Sequence, residues 1–189
     1  MNLIKNLTSL SKLVPIGNGR GKTTRMVVLT SVAVAGLVTA LVRTALATPP
    51  SNIVSGTVLA RASFVAPTDI MFKIKDGLEE VIYVREAKET VMQQIIIGPL
   101  GSTGWHSHPG PAVVLIKSGE LTVYSSDDPT CTGRTYSAGQ AFIEHGQGLV
   151  QFAGNLSPSQ NVEVWVTYFD VPPGGPFRLD AANPGNCGF

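Results

Sequence analysis

Two of the three histidines in this 189-residue chain, His106 and His108, stand at i, i+2 within Trp105-His106-Ser107-His108-Pro109-Gly110-Pro111. In an extended segment that spacing puts both imidazoles on one face, because side chains alternate with period two. Two converging imidazoles are half of a divalent metal site, and they suit zinc, copper or nickel best. The same pair also fits an ion-free reading, two hydrogen-bonded histidines facing a core, and spacing alone does not choose between them. The third histidine, His145, lies in the turn-like run His145-Gly146-Gln147-Gly148 and is expected to end a strand rather than to bind. Glu120 and Glu144 are the nearest carboxylates on either side; Glu120 belongs to Ser118-Gly119-Glu120, which reads as a solvated hairpin turn. No Ser-His-Asp grouping, phosphate-binding loop or paired-carboxylate pattern accompanies them.

The elements that must position this pair are short and β-rich. Residues 57–64, 70–75, 81–85, 90–97, 112–117, 121–125, 140–144, 149–152 and 162–169 are apolar or alternating runs separated by Gly, Pro, Asn and Asp. Strands spaced every eight to twelve residues or so predict an all-β sandwich or barrel. No helical period follows residue 48. An immunoglobulin-like sandwich shares this rhythm but lacks its Cys-Trp-Cys spacing here, since the two cysteines come late. Phe142, Phe152, Trp165 and Tyr168 are expected to fill the interior, and Trp105 to point to the face opposite His106. The tail, residues 173–189, is too rich in Pro and Gly for a strand and reads as ordered coil.

The glycines and histidines together resemble the first motif of the cupin superfamily: glycine, spacer, His-x-His, three or four residues, glutamate, six residues, glycine. Gly101, His106, His108 and Gly119 fall in register, with the leading spacer one residue short, and Ala112 stands where the glutamate belongs. The second motif is matched by Gly139, by Gly148 with a one-residue offset, and by Asn155; Gln151 replaces its histidine and His145 its turn proline. The resemblance implies a double-stranded β-helix, or jelly-roll barrel, over residues 55–172. It implies a metal set of His106, His108 and Gln151 with waters, for zinc, copper, nickel, iron or manganese, weakened by the missing carboxylate. It implies a small-molecule ligand in the barrel. A binding protein is the reading taken, with a metal-dependent dioxygenase or isomerase as the alternative and an edge-strand homodimer as a structural third.

Outside the barrel, charge is unevenly placed. Lys5, Lys12, Arg20, Lys22, Arg25 and Arg43 precede the first acidic residue, Asp69; the remainder carries 8 Lys/Arg against 13 Asp/Glu, a net of −5. An acidic domain without basic clusters argues against nucleic-acid binding. Residues 26–42 form an apolar run between that basic segment and Ala45-Leu46-Ala47, the order of a secretory signal. Residues 1–47 are therefore read as a signal peptide or an uncleaved membrane anchor, 48–54 as a linker, and the domain as exported, secreted or held at the membrane only by residues 26–42. Beyond that leader, Cys131 and Cys187 are an even count in an oxidising compartment, which predicts a disulfide over two unpaired thiols.

Overall fold

The computed structural model describes residues 46–76 and 78–189; the leader and its apolar run lie outside the described residues. Among these, the secondary structure is strand throughout: β1 (Ser51–Ser63), β2 (Ile70–Asp76), β3 (Leu78–Val84), β4 (Glu89–Ser102), β5 (His106–Ser107), β6 (Ala112–Ser118), β7 (Glu120–Ser125), β8 (Arg134–Ser137), β9 (Ala141–Glu144), β10 (Gln151–Gly154), β11 (Val162–Val171) and β12 (Leu179–Asp180). Two antiparallel layers form a nearly closed barrel. One runs β1-β4-β11-β6-β9 and the other β12-β5-β10-β7-β8, joined where Gly154 of β10 meets Ser102 of β4. β2 and β3 make a separate hairpin.

Alternation along the central strands sets the core. Ala112, Val114 and Ile116 of β6 and Val162, Val164, Val166 and Tyr168 of β11 are buried, while their neighbours Leu115 and Trp165 face outward. β-branched side chains suit these positions because they pack on the pleat without losing much rotamer freedom. Trp165 thus departs from the expected interior placement. It follows the solvent-side parity of β11, and its indole N–H donates to Glu163.

Two further expectations change. Ser118-Gly119 is no hairpin turn, because β6 pairs with β9 and β11 whereas β7 pairs with β8 and β10. The chain passes there from one layer to the other, at φ +76°, with the Asn161 carbonyl where a Cβ would sit. Only glycine meets both demands. Strand also begins at Ser51, inside the stretch read as linker. Farther back, Ala47 bridges Ala182 and the Thr48 N–H donates to the Ala181 carbonyl.

The tail is largely coil but is not loose. β12 pairs with β5, Cys187 is bonded to Cys131, and Phe189 packs against Trp105, Tyr124 and Phe152. Among the described residues no helix is long and apolar enough to cross a membrane.

Candidate metal centre

His106 and His108 sit where the short β5 is held between β10 and β12. Trp105 turns to the opposite side, fully buried, against Phe152. Both imidazoles are nearly inaccessible and lie edge-to-face, with ring centroids 4.9 Å apart. Each ring is fixed through Nδ1. His106 Nδ1 is 2.9 Å from the Gly104 carbonyl and His108 Nδ1 is 2.7 Å from that of Phe177. A carbonyl can only accept, so each Nδ1 carries a proton and Nε2 is the atom each ring would offer a cation, which at His108 would replace the proton shared with Glu144. Carbonyl partners of this kind are the usual means of orienting a metal-binding histidine.

The carboxylate absent at position 112 comes from the neighbouring strand. Ala112 of β6 is the direct antiparallel partner of Glu144, the last residue of β9. Directly opposed residues project to the same face. Glu144 therefore reaches the place that a longer side chain at 112 would fill, and the methyl group of Ala112 leaves it room. Glu144 is buried, and its Oε2 lies 2.8 Å from His108 Nε2. Ligand atoms of His106, His108 and Glu144 all lie within 4.8 Å of one another.

Burial pushes the His106 imidazole down to about 4, against the opposing pull of the Glu144 charge, so the ring is neutral near pH 7. Burial alone would raise the Glu144 carboxyl. The hydrogen bond and charge of His108 outweigh it and hold the group below the usual carboxylate range. With an ion in place of the proton between His108 and Glu144, two imidazole nitrogens and one carboxylate oxygen would be a donor set that divalent transition metals accept. These three side chains border an inner chamber of about 30 Å³, closed by apolar residues such as Val114, Leu121 and Val166. That is room for an ion or a single water. The donor set and the chamber both fit a metal ion.

Gln151 is paired in register with His106 across β5 and β10. Its strand parity matches Ala153, which walls the chamber, and its Oε1 is buried without a hydrogen-bond partner. Gln151 itself does not border the chamber. His145 stays apart, with Nε2 3.5 Å from Glu80 of the β2–β3 hairpin. Asn155 does secure a turn: its amide N–H₂ lies 2.7–3.1 Å from the Ile97, Gly98 and Gln160 carbonyls, and its Oδ1 accepts from Ser157.

On the far side of the imidazoles a second, open pocket of about 300 Å³ reaches solvent. His106, His108, Tyr168, Ile95 and Thr103 border both spaces. The Tyr168 hydroxyl donates to Gln93 at 2.9 Å, and burial pushes its ionisation far above the ordinary tyrosine value.

No family model matches the chain, and no curated protein sequence matches it. Among solved structures it is similar to oxalate oxidase, with TM-score 0.39 and 22% identity over 48% of this chain and 45% of that one. It is also similar to a cupin-like protein from Thermotoga maritima, with TM-score 0.42 and 19% identity over 50% of this chain and 65% of that one. A third likeness is vicilin from Capsicum annuum, with TM-score 0.42 and 9% identity over 49% and 25% of the two chains. The chain spans about half the length of the first structures it matches.

Proposed function

We propose, from the premise that this chain has a cupin-superfamily fold, that it is an exported protein binding a small molecule beside a divalent metal ion. His106, His108 and Glu144 hold the ion, and Gln151, opposite His106 but outside the chamber, becomes a fourth donor by turning its unpaired carbonyl oxygen inward. The observation that carries this reading is the carboxylate of Glu144, delivered opposite Ala112 to within hydrogen-bond distance of His108. A bound ion would supply Lewis acidity and an anchoring charge. The protein's own share is to orient both rings through the Gly104 and Phe177 carbonyls so that Nε2 is the donor each offers, to hold a carboxylate ionised in an apolar chamber, and to exclude bulk water. The Cys131–Cys187 bond and the basic-then-apolar leader support export.

Zinc titration of chelator-stripped protein tests the site. The wild type should bind one equivalent. Glu144→Gln should weaken binding more than about 100-fold, beyond the 10- to 100-fold typical for losing a partner that does not touch the metal. Gln151→Leu should cost less, since it removes a neutral oxygen. A folded wild type that takes up no zinc, copper, nickel, iron or manganese would overturn the metal reading. N-terminal sequencing of protein recovered outside the cytoplasm tests export, and a start near Thr48 is expected.

A further inference from the structure

The open pocket is lined mostly by apolar surface, and among the described residues its only formally charged lining residue is Arg178. Arg178 belongs to the tail, two residues beyond Pro176, and is held from two sides. Its Nε donates to Asp180 at 2.7 Å and its Nη2 to the Thr103 carbonyl at 2.6 Å. Nη1 has no hydrogen-bond partner among the described residues. The guanidinium is thus fixed in place with donors unspent. Its charge is felt at His106, Glu144 and Tyr168, which puts it close to the buried centre.

The rest of the lining is mainly apolar, Ile53, Ile95, Pro176 and Phe177 among it, and the Gln93 carbonyl oxygen accepts from Tyr168. Among the described residues no Asp or Glu lines the pocket; Asp180 meets Arg178 from outside it. A volume of about 300 Å³ is at the lower limit for small-molecule sites. Charge points the same way. A divalent ion held by two neutral imidazoles and one carboxylate keeps a net positive charge, which a single anionic group would neutralise.

We infer that the pocket takes a small monocarboxylate with an apolar body, its carboxylate between the Arg178 guanidinium and the imidazole pair and its body against Ile53, Ile95 and Phe177. A guanidinium presents paired N–H donors that match a carboxylate, which a point charge does not. This inference deepens the small-molecule part of the proposed function, and it depends on Arg178 whether or not a metal is bound.

Calorimetry with hexanoate, hexanamide, acetate and glutarate, on chelator-stripped and on zinc-loaded full-length protein, tests it. In stripped protein hexanoate should bind about tenfold or more tighter than hexanamide, the usual worth of a charge-assisted hydrogen bond. It should also bind more tightly than acetate, which lacks the apolar body, and than glutarate, whose second charge would enter the apolar part. Arg178→Gln should bring hexanoate down to the level of hexanamide and leave hexanamide unchanged. Arg178→Lys, which keeps the charge, covers the case of a misfolded glutamine variant and should retain part of the preference. Hexanoate binding no better than hexanamide, or a preference that survives Arg178→Gln, overturns the inference, as does glutarate or acetate binding equally well. Zinc uptake is read separately. An Arg178-dependent preference without zinc binding removes only the metal reading, and zinc binding without the preference removes only this one.

Discussion

At the scale of single residues, the pair Ala112 and Glu144 decides the chemistry. Because they face each other across β6 and β9, the carboxylate can be moved from one strand to the other. Glu144→Ala should abolish tight zinc binding, and Ala112→Glu added to it should restore most of it. Ala112→Glu alone should do harm, since it crowds a fully buried position and sets two carboxylates side by side. Zinc titration of the three variants reads the comparison directly. His106 makes a second test, on stability. Its ring stays neutral in the folded protein down to about 4, whereas the unfolded chain takes up a proton near the ordinary value of 6.5. The unfolded state therefore binds more protons between those values, so stability is full above pH 6.5 and falls as pH drops toward 4. The loss for the metal-free protein should reach about 3 kcal/mol, measurable by urea unfolding at pH 7, 5.5 and 4.5. The histidines were legible in the sequence because i, i+2 spacing is local information. Glu144 was not, because its role depends on which strand lies beside β6, and pairing between segments thirty residues apart leaves no local trace. The available signal was a lone carboxylate ending the apolar run Ala141-Phe142-Ile143.

At the scale of elements, the tail and the turns hold the centre in shape. The tail carries the Phe177 carbonyl that orients His108, and Cys131–Cys187 fastens that tail across a separation of 56 residues. Replacing both cysteines with serine should cost about 4 kcal/mol in the chain-entropy account. Hydrogen exchange should rise chiefly over residues 173–189, and zinc affinity should fall with it. Gly146 is a tighter constraint than its sequence context suggests. It sits at φ +65°, and a Cβ there would run into the Gly110 carbonyl. Gly146→Ala should lower stability by about 1–3 kcal/mol, the range for a residue forced into a disfavoured backbone region, and thermal unfolding would read it. The β rhythm, the disulfide and the barrel glycines were all visible beforehand, since each rests on composition or on short-range alternation. The first strand's early start and the crossing at Gly119 were not. Both depend on partners remote in the chain, β4 for the one and the Asn161 carbonyl for the other.

At the scale of the whole molecule, most of the described strands are paired with one distant in sequence: β1 with β4, β4 with β11, β6 with β11, and β5 with both β10 and β12. Such pairings pay loop-closure entropy before any contact offsets it. Stopped-flow refolding with the disulfide intact should be slow for the size of the domain, in the range of roughly milliseconds to seconds. The hydrogen bond from His108 to the Phe177 carbonyl spans 69 residues, and Arg178 follows directly after it. A ribosome delivers the chain from its N-terminal end, at about 5–20 residues per second. For several seconds after His108 emerges, its ring therefore has no carbonyl to fix it and the pocket has no guanidinium. The centre can only mature after the barrel around it has been made, so a metal ion or a ligand meets a finished site late in the life of the nascent chain.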